Sequence, residues 1–417
     1  GKYRGAAHSS CNLKLRIDPE KIKIPVFFHN LRGYDAHLIM QHIGEQDGTL
    51  SCIPNNKEKY ISFSWRQFVF KDSAQFLLAS LDKLVKANPE ESFKLTKKDL
   101  SQDEFSLLFR KGVYPYEYMD SWERFDETAL PPIENFYSSL TDSHISKEDY
   151  EHATKVWNTF KCKTLGDYHD LYLKTDVNLL SDVFENFRNI CLQQYKLDPA
   201  NYYTSPGLSW DALLKKTNVN LELLTDYNMY LMIEKGLRGG ISMVSKRYAK
   251  ANNPLIEDFN PNEKSSYLMY LDANNLYGWA MVQHLPTDSF KWSSANIDDI
   301  LKHPVDDVKG YICEVDLEYP DELHDFQNDY PLAPEKLEVQ SEWLSQYQQS
   351  LEPSKSSLKV KKLVPNLMPK HKYVLHYRNL QLYVELGMKV KQVHRVLEFN
   401  QKPWMAPYIM LNTELRK

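Results

Sequence analysis

Apolar and polar positions alternate in short runs through the first eighty residues of the chain. Three runs rich in aromatic and β-branched residues, at 24–30 (IPVFFHN), 60–65 (YISFSW) and 68–73 (FVFKDS), are typical of strands. One helical pattern lies among them. This combination of strands and a helix predicts an α/β domain at the start of the chain.

A long helical pattern follows between residues 146 and 195. Within it, apolar side chains recur at alternating steps of four and three residues, which brings them to one face of a helix. We expect this face to pack against a core. Two further helices are predicted at about 208–216 and 225–236. The apolar stripe consists of Leu173, Val177, Leu180, Phe184, Phe187 and Cys191.

The second half of the chain contains a hydrophobic strand pattern at 267–272 (YLMYLD), which runs directly into a helical pattern (ANNLYGWAMV). Another strand is predicted at 311–317, and residues 372–399 read as strand, helix and strand. Loops are predicted where Pro and Ser accumulate, at 131–139 and 350–357. The chain starts with glycine in place of methionine and ends within a helical pattern, so both ends look truncated.

The composition is that of a soluble globular protein. The 417 residues are enough for two or three domains, with 42% apolar and 26% charged side chains. Apolar runs are too short to span a membrane, and no secretory leader opens the chain. We therefore expect an intracellular protein. The nucleus is the suggested compartment, although the chain carries no clear Lys/Arg localisation run.

Five cysteines are scattered along the chain, and no Cys-x-x-Cys pair occurs. This pattern argues against a disulfide framework and against a structural zinc site. Reduced thiols in the core are the expectation. The cysteines are Cys11, Cys52, Cys162, Cys191 and Cys313.

The net charge of -5 is unevenly distributed. Residues 351–417 hold 13 Lys and Arg against 4 Asp and Glu, an excess of +9 that leaves -14 for the remainder. Such a basic block can neutralise the phosphates of a nucleic acid. A solvated lysine face is the alternative, and it is the commoner origin of a charge run.

Polar side chains cluster where the first predicted strand ends. Asn30 and Asp35 follow the apolar run, so they lie at the edge of an α/β sheet, where ligands usually bind. Far along the chain, Tyr172 and Asp176 are four residues apart and share one helix face. Carboxylates with a phenol beside them suit two-metal hydrolysis of a phosphodiester. Taken alone, a Tyr-x3-Asp pair is more common on an exposed helix face.

A second polar cluster follows the strand pattern at 267–272. The strand would deliver Asp272 at its end, the carbonyl of Ala273 could bind the same cation, and a turn would present Tyr277. Phosphoryl transfer needs a carboxylate on the metal ion and a shape element over the incoming sugar. The alternative is a buried strand that ends in a turn-capping aspartate.

Three sequence elements resemble those of B-family DNA polymerases, in the family's order and rough spacing. FHNLRGYD is similar to the Exo II motif, YLKTD to the Exo III motif, and ASLDKL to the element that grips single-stranded DNA in the protein-primed branch. The resemblance implies that Asp35 and Asp176 are metal-linked carboxylates and that Tyr172 orients the attacking water. The spacing from Asn30 to Asp35 is one residue longer than in some members. The residues implied to hold the primer end are His29, Asn30, Ser80 and Leu81.

The segment YLDANNLYG resembles polymerase motif A. This resemblance implies that Asp272 is a catalytic metal ligand and that Asn275 and Leu276 frame the nucleotide. Tyr277 would stack under the sugar and exclude a 2′-hydroxyl. NNLYG also resembles the core of motif B, but that motif's lysine, four residues earlier, is replaced by tyrosine.

The segment GLRGGISMVSKRY resembles the Tyr-x-Gly-Gly linker between the exonuclease and polymerase domains. This resemblance implies that Arg238, Gly239 and Gly240 contact DNA. Paired glycines let a backbone approach a phosphate closely. Leu237 stands at the linker's expected aromatic position. A glycine turn between domains is the alternative.

Parts of both expected sites are missing from this chain. Asp18-Pro19-Glu20 has the letters of an Exo I motif but reads as a turn, because Pro19 cannot donate to a sheet. No Asp-x-Asp and no motif B occur. The predicted division is a partial exonuclease domain at 1–200, a linker region at 201–265, and a partial palm with a priming-protein insertion at 266–417.

The resemblance implies a mixed α/β chain, with a ribonuclease H-like 3′–5′ exonuclease followed by the first part of a right-hand polymerase palm. The implied protein is a protein-primed B-family DNA polymerase of the Maverick/Polinton mobile-element kind, present as a fragment that is inactive alone. The complete enzyme would use two Mg²⁺ per active site. Its partners would be primer-template DNA, deoxynucleoside triphosphates and a terminal priming protein. Two alternatives stay open: a truncated product that only binds nucleic acid, and an inert folded remnant.

Overall fold

A four-stranded sheet opens the computed structural model, which describes residues 22–351 and 360–416. The strand order is β1-β4-β3-β2, and β1 runs parallel to β4 whereas the other pairs are antiparallel. Because β1 and β4 are parallel, their carboxyl ends meet at one edge, where Phe28 is the register partner of Asp72. The strands are β1 Ile24–Phe28, β2 Leu50–Pro54, β3 Tyr60–Trp65 and β4 Phe68–Asp72.

The chain divides into two units at Lys215, and the sheet belongs to the first unit. The predictions of β1, β3 and β4 are confirmed, and β2 was not predicted. The predicted division at 1–200, 201–265 and 266–417 stays a prediction. The helices of the first unit are α1 Asp35–Ile43, α2 Leu81–Ala87, α3 Gln102–Leu108, α4 Lys147–Thr159 and α5 Leu165–Tyr195. Another helix, α6 Ser205–Thr217, extends two residues past Lys215.

The single helix predicted between residues 146 and 195 is two helices. Ser146 caps α4 through its side chain, and Thr164 forms a capping box with Asp167 at the start of α5. Between them Lys161 adopts a left-handed conformation with φ 54°. The capping box at Thr164 provides hydrogen-bond partners for the first backbone N–H groups of α5, so a new helix begins there.

The buried face of α5 agrees with the predicted apolar stripe only in the C-terminal half of the helix. Leu173 and Val177 are 51% and 54% exposed, although Phe184 and Cys191 of the same stripe are buried. The core face instead carries Leu179 together with two buried polar side chains. Each polar side chain finds partners: Thr175 donates to the Leu171 carbonyl, and Asp182 accepts hydrogen bonds from Leu95 N, Thr96 N and Thr96 Oγ1. Because their hydrogen bonds are satisfied, Thr175 and Asp182 can be buried at positions that hydropathy alone would assign to the surface.

An antiparallel sheet with the order β5-β10-β6-β9 forms the second unit, beside a small β7-β8 pair. Its core packs Val315 and Val396 against Tyr377 and Leu380 of a covering helix. The strands are β5 Leu285–Ser293, β6 Lys309–Glu318, β7 Glu335–Leu337, β8 Lys362–Val364, β9 Lys370–His376 and β10 Lys389–Lys402. The helices are α7 Tyr227–Gly236, α8 Leu276–Met281, α9 Ile297–Leu301, α10 His324–Gln327, α11 Gln346–Leu351, α12 Tyr377–Glu385 and α13 Ala406–Arg416.

Residues 267–272 do not form the predicted strand. Tyr270 is 94% exposed, and the apolar residues around it are exposed too. Among the described residues, the backbone here has no ladder partner beyond an isolated bridge between Asn252 and Ser266. A strand exists through its hydrogen-bonded neighbour, so an apolar run alone does not make one. The prediction of a strand that delivers Asp272 is therefore wrong for this structure.

The mixed α/β class is confirmed. Cys52 is exposed, contrary to the expectation of core thiols, whereas Cys191 and Cys313 are buried. None of the described helices is long and apolar enough to cross a membrane. Cys11, the Asp18-Pro19-Glu20 segment and part of the predicted loop at 350–357 lie outside the described residues.

Two leucines of α5 provide a direct test of its buried face. Leu179→Ala removes a side chain that is fully buried and should lower the free energy of unfolding by about 2–5 kcal/mol. Leu173→Ala, in the same helix but half exposed, should lower it by less than about 1 kcal/mol. Urea unfolding followed by circular dichroism measures both. Equal losses for the two variants would show that the predicted stripe is the core face after all.

Candidate nucleic-acid site

A cleft of about 510 Å³ opens at the sheet edge where β1 and β4 end. It gathers side chains from the loop after β1, from the segment leading into α2, and from the middle of α5. Five residues predicted from sequence lie on it, although they come from positions as far apart as 29 and 176. The lining consists of His29, Asn30, Arg32, Ala74, Leu78, Ala79, Ser80, Leu81, Lys111 and Asp176.

Asn30 shapes the loop at the mouth of the cleft. Its backbone is left-handed, with φ 67° and ψ 33°, and it precedes a short 3-10 turn, Leu31–Gly33. The Asn30 side chain lies against Gly33, where an added Cβ would come within 2.8 Å of the amide nitrogen. A side chain at position 33 would therefore displace the Asn30 side chain from its place against the turn.

Ser80 and Leu81 form the opposite wall of the cleft. Ser80 occupies the N-cap position of α2, but its side chain makes no capping hydrogen bond. The exposed hydroxyl therefore stays available to a ligand in the cleft. Leu81 packs against the buried cluster around Val85 and Leu179, which anchors this wall to α5.

The predicted carboxylate Asp35 is not among the residues that line the cleft. It is the first residue of α1, and it is partly exposed. Tyr34, immediately before it, is 69% exposed. The structure thus brings Asp176 together with His29 and Asn30, but it leaves Asp35 outside this lining.

Tyr172 and Asp176 form a hydrogen-bonded pair on α5. The Tyr172 hydroxyl donates to Asp176 Oδ2 over 2.9 Å and also contacts the hydroxyl of Tyr116. Tyr114 stacks on the Tyr172 ring at a centroid distance of 4.7 Å. Burial raises the pKa of Tyr172, so its phenol stays protonated and acts as a donor, not as a base.

One oxygen of Asp176 has no partner among the described residues. Asp176 Oδ1 is buried without a hydrogen bond, while Oδ2 accepts from Tyr172. Burial raises the pKa of Asp176, and the Tyr172 hydrogen bond opposes that shift. A buried acceptor without a donor costs free energy, which a bound cation or donor group would recover.

Five residues of the lining were missed by the sequence analysis: Arg32, Ala74, Leu78, Ala79 and Lys111. Lys111 makes no ion pair within the described ranges, and its charge acts on Asp176 to lower the carboxyl's pKa. Leu78 is 85% exposed at the rim, and Arg32 lies within the Exo II-like segment. Proximity to the motifs could have indicated Arg32 and Leu78. Nothing in the local sequence around Lys111 indicates that it faces residues 29–32.

The second predicted cluster lies on an exposed segment of the second unit. Asp272 is exposed, and Leu276 and Tyr277 are 60% and 82% exposed at the start of α8. Asn275 is left-handed, with φ 55° and ψ 43°, and its side chain lies against Gly278. This turn has the geometry of the one at Asn30, and both carry the sequence Asn-Leu-x-Gly.

The predicted DNA contact Arg238 is engaged within the protein. Its guanidinium lies 3.8 Å from the centre of the Tyr373 ring and donates to the carbonyls of Gly236 and Val374. Gly239 and Gly240 are exposed, and an added Cβ at either would meet nothing within 4 Å. Packing therefore does not require these glycines, and their predicted contact with DNA stays a prediction.

Comparison with known proteins identifies the family. Residues 18–417 match the model of the family described as DNA polymerase type B, organellar and viral. The chain belongs to this family. The B-family resemblance found in the sequence is thereby confirmed. No curated protein matches the chain.

Solved structures of phi29 DNA polymerase are similar to the chain. The complex with primer-template DNA and incoming nucleotide substrates has 13% sequence identity and a TM-score of 0.48, covering 98% of this chain and 57% of that one. The orthorhombic crystal form has 13% identity, a TM-score of 0.43 and coverages of 98% and 58%. The complex with single-stranded DNA has 15% identity, a TM-score of 0.42 and coverages of 98% and 57%. This chain therefore covers less than two thirds of the length of each of these phi29 DNA polymerase chains.

B-family DNA polymerases generally use divalent metal ions, which are bound by carboxylate oxygens. Asp176 Oδ1 fits as one ligand, since it is a buried carboxylate oxygen without a partner. In the described parts of the chain, however, no three His, Cys, Asp or Glu side chains are grouped so that they could hold an ion. The residues present here do not complete a two-ion site.

The unpartnered carboxylate of Asp176 gives a pH-dependent prediction. Because the folded-state pKa is raised, ionisation of Asp176 costs stability as the pH rises through that pKa. Asp176→Asn removes this cost and should raise the melting temperature by about 2–4 °C at about pH 8. The gain should shrink as the pH falls toward 3.8, the carboxyl's ordinary pKa. Thermal unfolding at several pH values measures it.

Asp182→Asn is the matched control, because Asp182 is buried on the same helix with both oxygens hydrogen-bonded. This variant should lower the melting temperature. A melting temperature that falls equally in both variants would show that the Asp176 carboxylate is satisfied in the fold.

Proposed function

We propose that the chain is part of a protein-primed B-family DNA polymerase. Its first unit would contribute a ribonuclease H-like 3′–5′ exonuclease site, and its second unit the first part of the polymerase palm with Asp272. Family membership supports the polymerase class. The observation that carries the proposal is the single cleft shared by His29, Asn30, Ser80 and Asp176. An origin in a Maverick/Polinton-type element and a nuclear location stay predictions.

The chemistry of the cleft suits the 3′ end of a single DNA strand. Lys111 and Arg32 provide positive charge for phosphates, and the exposed Leu78 offers an apolar surface for a base. The Ser80 hydroxyl can hydrogen-bond to a sugar or a phosphate. A volume of about 510 Å³ lies in the range of pockets for small ligands, so it suits one or two nucleotides more than a duplex.

In the complete enzyme we expect two Mg²⁺ per active site, with carboxylates contributed by Asp35 and Asp176 in one site and by Asp272 in the other. Tyr172 would orient the attacking water, and Asn275, Leu276 and Tyr277 would frame the incoming nucleotide. Primer-template DNA, deoxynucleoside triphosphates and a terminal priming protein are the proposed partners. The buried oxygen of Asp176 supports its part in this assignment.

The alternative of nucleic-acid binding through the basic C-terminal block has weaker support. Several of its cations already form ion pairs with carboxylates of the second unit. These pairs reduce the charge that is available to phosphates. They join Lys370 to Glu335, Arg395 to Glu314, Lys391 to Glu318 and Lys389 to Glu322.

Binding of single-stranded DNA tests the proposal. Asn30→Ala should weaken the affinity for a short oligothymidylate about tenfold, because the asparagine side chain lies on the cleft. Asn158→Ala, an exposed asparagine on α4 outside the cleft lining, should leave the affinity unchanged. Fluorescence anisotropy of a labelled oligonucleotide measures both. Equal affinities for the two variants and the parent chain would refute binding at this cleft.

The salt dependence of binding identifies the cations involved. If Lys111 and Arg32 each neutralise one phosphate, the slope of log affinity against log salt is about −1.4 for a single strand. The affinity should then fall about sevenfold between about 50 and 200 mM salt. Lys111→Ala should halve the slope. A slope that Lys111→Ala leaves unaltered would assign the electrostatic contact to other residues, such as the basic C-terminal block.

A further inference from the structure

A second pocket, of about 690 Å³, lies at the end of the first unit's sheet that is remote from the cleft. It is formed by the β3–β4 turn, by neighbouring residues of β2, and by the residue before β1, whereas the cleft lies beyond the carboxyl ends of β1 and β4. At about 3.3 Å per residue, the two openings are about 20 Å apart along β1. We call this cavity the hairpin pocket. Its walls include Lys23, Ser51, Ser64, Trp65, Arg66 and Phe68.

Two serine hydroxyls lie side by side in the hairpin pocket. Ser51 of β2 and Ser64 of β3 are register partners, so their side chains project from the same face of the sheet. Neither hydroxyl has a hydrogen-bond partner among the described residues. By contrast, the nearby Ser62 is buried, and its hydroxyl donates to the Phe70 carbonyl. The two serines of the pocket are therefore available to a ligand.

Arg66 is held in a defined position on the wall of the pocket. Its guanidinium lies 4.5 Å from the centre of the Trp65 ring, and Nε and Nη2 donate to the Asp47 carbonyl over 3.2 and 2.8 Å. Gly48 adopts φ 142° and lies against the indole, where an added Cβ would come within 2.8 Å of Trp65 Nε1. Since these contacts order the guanidinium in advance, binding a ligand costs less conformational entropy.

The hairpin pocket is positively charged. The Lys23 ammonium donates to the Arg66 carbonyl over 3.0 Å, and its other hydrogens remain available. Within the described ranges neither Lys23 nor Arg66 forms an ion pair, and no Asp or Glu lines the pocket. Two unpaired cations beside free hydroxyls favour an anionic ligand. Arginine, lysine and serine are side chains with which proteins bind phosphate groups.

The size of the pocket and its aromatic walls indicate a ligand larger than a phosphate ion. A volume of about 690 Å³ lies in the range of pockets for small organic ligands. Trp65 and Phe68 provide an apolar surface against which a base can pack. A phosphate ion alone would leave most of this volume and the aromatic surface without contacts.

The residues before Ile22 do not complement the charge of the pocket. Residues 1–21 hold five Lys and Arg against two Asp and Glu, an excess of +3, and the pocket itself carries two cations. Because like charges repel, this segment is disfavoured as the occupant. The charges favour an anion that comes from outside the chain.

We propose that the hairpin pocket is a binding site for a nucleoside phosphate, separate from the single-strand cleft. Lys23 and Arg66 bind the phosphate, the hydroxyls of Ser51 and Ser64 donate to the phosphate or the sugar, and the base packs against Phe68. A free nucleotide and a nucleotide within a DNA strand present this same chemistry. The site does not depend on the function proposed for the cleft.

Equilibrium dialysis of radiolabelled thymidine 5′-monophosphate at low salt tests the site. All measurements use the chain with Asn30→Ala, which weakens binding at the cleft and leaves the hairpin pocket intact. Lys23→Ala should weaken the affinity about tenfold, because a charge-assisted hydrogen bond to the phosphate is lost. Lys57→Ala is the matched control, since Lys57 is an exposed lysine between β2 and β3 outside the lining. An unchanged affinity in Lys23→Ala, or an equal loss in Lys57→Ala, would overturn the proposal.

A charge introduced into the pocket gives a second test. Ser51→Asp places a carboxylate beside the bound phosphate and should reduce the affinity at least about tenfold. Cys52→Asp adds the same charge at the next residue of β2, which is exposed and outside the lining, and should have little effect. Circular dichroism confirms that both variants are folded, and Lys23→Ala decides the proposal if either is not. An affinity that Ser51→Asp leaves unchanged would exclude an anion at this site and overturn the proposal.

Competition with the labelled nucleotide tests the recognition of phosphate and identifies its source. Thymidine, which lacks the phosphate, should not compete, and competition as strong as that of unlabelled thymidine 5′-monophosphate would overturn the proposal. Displacement by oligothymidylate would support a nucleotide within a strand as the ligand. Displacement by the mononucleotide alone would support a free nucleotide.

This hypothesis and that of the cleft fail in distinguishable ways. Nucleotide binding that Lys23→Ala and Ser51→Asp weaken belongs to the hairpin pocket, whatever the effect of Asn30→Ala on oligothymidylate. If Asn30→Ala weakens the binding of oligothymidylate while Lys23→Ala and Ser51→Asp leave nucleotide binding unchanged, the cleft stands and the hairpin pocket is overturned.

Discussion

The parallel pairing of β1 with β4 is the constraint on which the candidate site of the first unit depends. It sets Phe28 opposite Asp72 and so brings two loops that are 44 residues apart to one sheet edge. Without this register, the Asp72 carboxylate could not reach the N–H groups of Asn30 and Arg32. The hydrophobic strands thus serve as the rigid support, and the polar residues just beyond their ends provide the chemistry.

Polar groups in this region follow two different energetic patterns. Asp72, Ser73 and Asp182 are buried with their hydrogen bonds made, so they stabilise particular loop conformations. Asp176 instead keeps one buried oxygen without a partner within the described chain. An unsatisfied carboxylate lowers stability, and functional sites are where proteins tolerate such a cost. This contrast distinguishes Asp176 from the buried polar groups whose hydrogen bonds hold the loops in place.

A turn with the sequence Asn-Leu-x-Gly and a similar backbone conformation occurs in both units. In each, a left-handed asparagine precedes a helical turn, and the glycine three residues later leaves room for the asparagine side chain. In the first turn Leu31 is buried and Arg32 lines the cleft, whereas in the second Leu276 and Tyr277 are exposed. A side chain at either glycine would displace the asparagine side chain that lies against it.

The sequence by itself determined the family, the strands β1, β3 and β4, and the residues His29, Asn30, Ser80 and Asp176 that the fold gathers around one cleft, because these features reside in local patterns and motifs. Only the tertiary structure decided which face of α5 is buried, because Asp182 finds its partners 86 and 87 residues away. It also decided that residues 267–272 form no strand, since a strand requires a neighbour that periodicity does not specify. Sequence patterns also could not indicate that Lys111 lines the cleft, or that the His29 ring contacts Ser73 and Ala79. Their surroundings come from segments distant along the chain, and only folding brings such segments together.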